Sequence, residues 1–428
     1  MKEKAVITIL GTSGNPNAPA QYIFFDEQAY TYANTLPMLL EIYGKDCDII
    51  AFYTKDAKIH NSEILNFYKE KNQKFANLNI DNFFKEQFFI TNEKDFTQIF
   101  AQIDQAISDS KYNQIIIDVS HGFRHLPILM TIDMIIQNFS DLDKIEKIIF
   151  AKEIQKQKKY EIIDLKEYLD LANIAFILTA FNKNYTVANH IKSTKYPHLI
   201  DALQDFSDDI MALNISHLFQ TSAQNLITQL NSINDISIQT PANNLKKTIQ
   251  SLLSLTNFKP YEQYYALSTM LLKKNYILLS LALIFESLRL YVTYNFQTID
   301  KKLYDVVCHN EKGNIYDICN FFIKLLNLEY KELALIYKDP KNFNTKQKKK
   351  LKESLQKGKK TYPLTENELI KLQNAFKNKD DFAALNKKIK EKRNTLAHID
   401  SNGTNFQKIK DSITNLITEY ERLTNIKH

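Results

Sequence analysis

The sequence predicts an α/β domain over residues 1–165 followed by an all-α region over residues 166–428. Two continuous apolar runs, AVITIL (5–10) and NQIIIDVS (113–120), read as strands buried on both faces of a parallel or mostly parallel sheet. Helical spacing alternates with further strand-like runs around them. Beyond residue 166 the strand signal fades, and apolar residues recur at helical intervals to the end.

In chain order, AVITIL leads into the loop GTSGNPNAPA, and QYIFF (21–25) and DIIAFYT (48–54) read as strands flanking a helix near Leu36–Tyr43. Helical spacing covers 94–109, and NQIIIDVS ends in HGFRHLP, with a helix near Ile128–Asn138 after it. KIIFAKEI (147–154) and YEIIDL (160–165) close the strand-rich part. Helical periodicity then runs through LKEYLDLANIAFILTAF, 199–232, 243–256, 262–295, 315–337, 364–392 and 405–425. No Pro/Gly-rich linker marks the change at 165, so a helical connector is expected to run through it.

The net charge of +6 permits a nucleic-acid partner without requiring one. Ten lysines between Lys338 and Lys360 face only Asp339 and Glu353, a local +8 that leaves the rest of the chain near −2. This stretch reads equally as a solvated loop and as an electrostatic collector of RNA. Cys47, Cys308 and Cys319 are widely spaced and odd in number, which favours a reducing compartment without structural disulfides or a cysteine zinc site. The first apolar run is too short for a signal peptide. YILLSLALIF (276–285) ends at Glu286, too short to span a bilayer, and reads as a buried helix. A cytoplasmic protein with no membrane partner is expected.

Glycine is scarce, seven in 428 residues, yet Gly11, Gly14 and Gly122 follow the two buried strands. Open α/β sheets bind ligands at the carboxyl ends of their strands, and glycine lets backbone N–H groups approach a phosphate closely. Thr12 and Ser13 add hydroxyls, and DVSHGFRHLP (118–127) gathers Asp118, Ser120, His121 and Arg124. Taken alone, Gly11–Gly14 also reads as a strand-to-helix turn, Asp118 as a helix cap, and His121 or His125 as a packing histidine.

DVSHGFRHLP resembles the signature of the CRISPR-associated DxTHG-motif family, with Ser120 in the usual threonine position, and ITILGTSG resembles that family's first strand and loop. The resemblance covers the first 165 residues or so. It implies a Rossmann-like CARF domain that binds cyclic oligoadenylate as a homodimer or an assembly of dimers. It further implies a pocket lined by Gly11, Thr12, Ser13, Gly14, Asp118, Ser120, His121, Gly122, Phe123 and Arg124. A twofold axis pairs identical loops and so suits a ring with an even number of phosphates. Cyclic tetra-adenylate is the expected activator and cyclic hexa-adenylate the next.

Only four residues are arginine: Arg124, Arg289, Arg393 and Arg422. Arginine is a rigid, always-charged fork suited to phosphate. In KIKEKRNTLAHID (388–400), Asn394 and His398 share a helix face, with Arg393 about 100° around the helix. Lys387, Lys388, Lys390 and Lys392 make the approach positive. RNTLAH resembles the HEPN ribonuclease motif, and a CARF-like domain followed by a HEPN-like one is an arrangement of CRISPR ancillary ribonucleases. The resemblance implies a catalytic set of Arg393, Asn394 and His398, acting on single-stranded RNA without metal or cofactor. RNA supplies the 2′-OH nucleophile, and the products are a 2′,3′-cyclic phosphate and a 5′-OH. Glu286 and Arg289, three residues apart, read as an ion pair that supports the fold. Two alternatives stand beside this reading. One is a non-catalytic cyclic-oligoadenylate sensor acting through a nucleic-acid or protein partner. The other is a self-limiting effector whose N-terminal pocket also degrades the ring through Ser13, Ser120 and His121.

Overall fold

The computed structural model describes residues 3–25, 28–92, 94–121, 125–138, 144–188, 191, 193, 195–327, 366–397 and 405–426. The lysine stretch 338–360, Gly122, Phe123, Arg124 and His398 lie outside the described residues. The chain forms two compact units, Met1–Ser207 with Thr228–Lys246, and Asp208–Ile227 with Lys247–His428.

The first unit is built on a mixed seven-stranded sheet: β1 (Lys4–Ile9), β2 (Ala20–Phe24), β3 (Gln28–Tyr32), β4 (Cys47–Phe52), β5 (Gln114–Asp118), β6 (Ile145–Gln155) and β7 (Lys159–Asp164). The order is β3-β2-β7-β6-β5-β1-β4. Pairings β1–β4, β1–β5, β5–β6 and β2–β7 are parallel, whereas β2–β3 and β6–β7 are antiparallel. Alternation along the central strands sends Ala5, Ile7, Ile9, Ile115 and Ile117 to one face. Helices α3 (Phe96–Ser108) and α4 (His125–Asn138) cover that face through Ile99, Ile103, Met130 and Met134. Val6 and Ile116 point to the other face, under α1 (Thr35–Tyr43) and α2 (Lys55–Lys71), which supply Met38, Leu39, Ile64 and Tyr68. Both faces are therefore dry, which is why these strands read as unbroken apolar runs.

β3 and α2 exceed the sequence reading, as does the helix Lys301–Asn310 further along the chain. β3 (QAYTY) pairs with β2, and its short alternation of Tyr30 and Tyr32 is a weak strand signal. α2 is strongly polar on average, yet Ala57, Asn61, Ile64, Leu65 and Tyr68 are buried at helical spacing behind the cap Thr54, whose hydroxyl accepts from the Ala57 N–H.

Among the described residues the last strand ends at Asp164, and helix α5 (Lys166–Asn184) follows. Three of the breaks between the helices beyond it fall at single left-handed residues. Leu213 (φ 54°) lies between α6 (Pro197–Ala212) and α7 (Ala223–Asn231), with α8 (Gln239–Ser254) after them. Asn275 (φ 69°) separates α9 (Pro260–Lys273) from α10 (Ile277–Ile299). After α11 (Lys301–Asn310) and α12 (Ile315–Asn327), Asn378 (φ 57°) divides α13 (Glu366–Ala375) from α14 (Lys379–Ala397). The last described helix is α15 (Phe406–Thr424).

In the second unit α10 is the central element. It runs on past Glu286 to 23 residues, longer than the sequence reading allowed, and is long and apolar enough to cross a membrane by length and composition, although half of its most apolar window is buried. Here Leu281, Ile284, Leu288, Val292 and Phe296 on α10 are buried against Phe322, Phe376, Phe382, Ile413 and Tyr420. The expected Glu286–Arg289 pair is present at 3.0 Å. Arg289 is only 2 % exposed and also donates to the Tyr316 carbonyl (3.0 Å) and to Asn320 Oδ1 (2.8 Å). Arg289→Ala strands these acceptors, whereas Arg289→Met refills the volume. Because Glu286 still reaches water, the loss should fall below the roughly 3–5 kcal/mol of a fully buried pair, at about 2 kcal/mol for Ala and less for Met. Urea denaturation followed by far-UV circular dichroism reads the difference, and equal midpoints for Ala and the parent would refute it.

Candidate functional site

The sheet order places β1 between β4 and β5, with helices departing to opposite faces, so the carboxyl ends of β1 and β5 form the topological switch of the sheet. Register sets Thr8 directly beside Asp118 there. Both point to the face covered by α1. The Asp118 carboxylate is fully buried. Its Oδ2 accepts from the hydroxyls of Thr8 (2.9 Å) and Thr35 (3.0 Å), and its Oδ1 from the Ser120 N–H (3.0 Å). One carboxylate thus ties β1, β5, the loop after β5 and the start of α1 together.

The Gly11–Gly14 loop is fixed from the helix side. Asn61 donates to the Gly11 carbonyl (2.8 Å), and Asn34 (3.2 Å) and His60 (3.1 Å) both donate to the Ser13 carbonyl. Asn34 is also the cap of α1, accepting from the Leu36 N–H, and donates to Asn61 Oδ1 (2.9 Å). Gly14 has φ +102°, and a Cβ there would sit 2.3 Å from the Ala33 carbonyl oxygen, so only glycine fits. The result is a rigid loop with Thr12, Ser13 and Gly14 exposed.

The two loops meet at His121. Its Nε2 lies 3.3 Å from the Thr35 N–H and accepts from it, so the neutral ring carries its proton on Nδ1, 3.2 Å from Ser13 Oγ. Ser120 Oγ accepts from the Ala151 N–H of β6 at 2.8 Å. Of the expected pocket residues, the structure therefore brings Gly11, Ser13, Gly14, Asp118, Ser120 and His121 into one connected network, with Thr12 on its rim. The first turn of α1 is buried in this network: the Thr35 N–H is taken by His121, the Leu36 N–H by Asn34, and Pro37 has none. Thr8, Asn34, Thr35, His60 and Asn61 belong to this network and escaped the sequence reading. The buried spacing of α2 was the signal for the last two.

On the second unit, Arg393 lies on α14 with its guanidinium 4.6 Å from the centroid of the Phe285 ring on α10. Asn394 is exposed, and Leu396 packs on the core. Lys388 pairs with Glu419 at 2.9 Å.

Two outcomes are expected. Asp118→Ala orphans two buried threonine hydroxyls and one N–H. At about 1–3 kcal/mol for an unmade buried hydrogen bond, and with the hydroxyls free to rotate, stability should fall by about 3 kcal/mol. A urea midpoint matching the parent would contradict this. Burial holds the His121 pKa below the usual imidazole range, with the Asp118 charge opposing. A lowered pKa means the unfolded chain takes the proton first as the pH drops below about 6.5, so His121 subtracts stability on acidification. His121→Gln should therefore lose less stability between pH 7 and 5 than the parent, and identical losses would remove His121 as the cause.

No family model matches this chain and no curated protein matches it, so the site is read from its own residues.

Proposed function

We propose that the chain is a cyclic-oligoadenylate-activated, metal-independent endoribonuclease cleaving single-stranded RNA, with a CARF-like N-terminal part and a HEPN-like C-terminal part. The observation that carries this reading is the convergence of both motif loops at the β1–β5 switch, where Ser13 meets His121 above the buried Asp118. Ring phosphates meet the exposed Thr12 and Ser13 hydroxyls and the backbone N–H groups of the glycine loop. A homodimer supplies the second copy of each loop to the same ring. Ring binding shifts an equilibrium toward the cleavage-competent state, to the extent that the ring binds that state more tightly.

In cleavage the 2′-OH attacks the adjacent phosphorus, and the bond to the 5′-oxygen breaks. The 2′ proton leaves and the 5′ oxygen is protonated. His398 moves a proton in this exchange, and Arg393 balances the charge that grows on the phosphate oxygens. Asn394 orients the phosphate or the imidazole. These roles follow the RNTLAH resemblance.

The test is cleavage of a fluorescent single-stranded RNA in EDTA, with and without cyclic tetra-adenylate or cyclic hexa-adenylate, beside His398→Ala. Cleavage that needs one ring and is lost in the variant is expected. Ring binding with no cleavage by either ring would overturn the nuclease and leave a sensor that acts through a partner.

A further inference from the structure

Two of the four arginines share one aromatic ring. Phe285 and Arg289 are four residues apart on α10, and the Arg289 guanidinium lies 5.4 Å from the Phe285 centroid. Arg393 lies 4.6 Å from the same ring. Arg289 in turn lies 4.6 Å from the ring of Tyr316, at the start of α12. The series Tyr316–Arg289–Phe285–Arg393 therefore alternates ring and guanidinium. Its inner members are tightly held: Arg289 is buried and its fork is taken up by Glu286, Asn320 and the Tyr316 carbonyl. Its outer member is not covered, because Tyr316 is 59 % exposed. The backbone of Tyr316 is pinned on both sides, its N–H donating to Asn314 Oδ1 (3.0 Å) and its carbonyl accepting from Arg289 (3.0 Å).

A rigid, exposed aromatic ring in series with a guanidinium matches the chemistry of an unpaired base beside a phosphate. Bases stack on aromatic side chains regardless of sequence, and an arginine at the other end meets the backbone. The Glu286 carboxylate is matched by Arg289 and does not present an unbalanced charge to that backbone. We propose that Tyr316 is a base-stacking platform for single-stranded RNA and that Phe285 positions Arg393 against a phosphate further along the same strand. This rests on the ribonuclease reading for the choice of RNA. The stacking itself uses only the base, so single-stranded DNA should show the same dependence on Tyr316.

The experiment measures anisotropy of a fluorescein-labelled single-stranded RNA with 2′-O-methyl riboses, which blocks cleavage, on the full chain. Tyr316→Ala and Tyr316→Leu should each weaken binding about tenfold, in the lower part of the range for one stacked base, with the salt dependence unchanged. Tyr316→Phe should bind like the parent, and duplex RNA should be insensitive to all three. Arg393→Gln should instead flatten the salt dependence by about one phosphate contact. The leucine variant keeps bulk over Arg289, so a folding defect confined to alanine leaves the test intact. Parent-like affinity for Tyr316→Leu, or an equal loss for Tyr316→Phe, overturns the platform. If no ring elicits cleavage but binding still depends on Tyr316, the platform stands and the nuclease reading falls. If cleavage depends on a ring but affinity does not depend on Tyr316, the nuclease reading stands and the platform falls.

Discussion

The first unit depends on the satisfaction of one buried carboxylate. Asp118 ends β5 on the dry face of the sheet, where a charge without partners would cost several kcal/mol. Three donors from three segments meet it: Thr8 from β1, Thr35 from α1 and the Ser120 N–H from the loop that follows. The requirement runs in both directions. The carboxylate needs those donors to be buried, and the donors hold the strand ends and the first turn of α1 in register because they have no other acceptor of equal strength. Loop geometry at the switch is thus fixed from beneath, which lets the residues above it stay exposed.

That footing explains how a loop as polar as Gly11–Gly14 can be rigid. It buries little apolar surface of its own. Its carbonyls are instead gripped by Asn61, Asn34 and His60, and Gly14 passes too close to Ala33 for any side chain. A loop held this way is pre-organised, its geometry set before any ligand arrives. Neutral His121 fits the same scheme: accepting from the Thr35 N–H on one side, it can only donate toward Ser13 on the other.

The sheet was legible where burial on both faces leaves an uninterrupted apolar run, as in β1 and β5. The change to helices after β7 was legible because the spacing changes from runs to 3.6-residue recurrence. β3 was not, since an edge strand with one apolar side offers only Tyr30 and Tyr32 as a signal. The half of the site contributed by glycines and DVSHG was visible because glycine is scarce and clustered. The half contributed by Thr8, Thr35 and Asn61 was not. These polar residues lie on buried faces, and nothing local in the sequence announces that a carboxylate 110 residues from Thr8 is the partner of both threonines, or that Asn61 grips the Gly11 carbonyl. Arg393 was visible as a rarity, whereas its support, Phe285, is one apolar residue among many on α10.

The rarity of arginine acquires a physical reason from that support. Lysine is a hydrated point charge on a flexible stem, adequate for a solvated surface and for pairs such as Lys388–Glu419. It cannot lie flat on an aromatic ring while presenting a planar fork of donors at its rim. Arg289 uses such a fork to satisfy three acceptors while bridging two rings, and Arg393 lies over the ring that Arg289 also flanks. Replacing either by lysine keeps the charge and loses the plane. Arg289 and Arg393 thus link the exposed Tyr316, the Phe285 ring on α10 and the helix of the RNTLAH run through guanidinium–ring contacts. In a chain that otherwise answers nearly every need for positive charge with lysine, two of four arginines stand where flatness as well as charge is required.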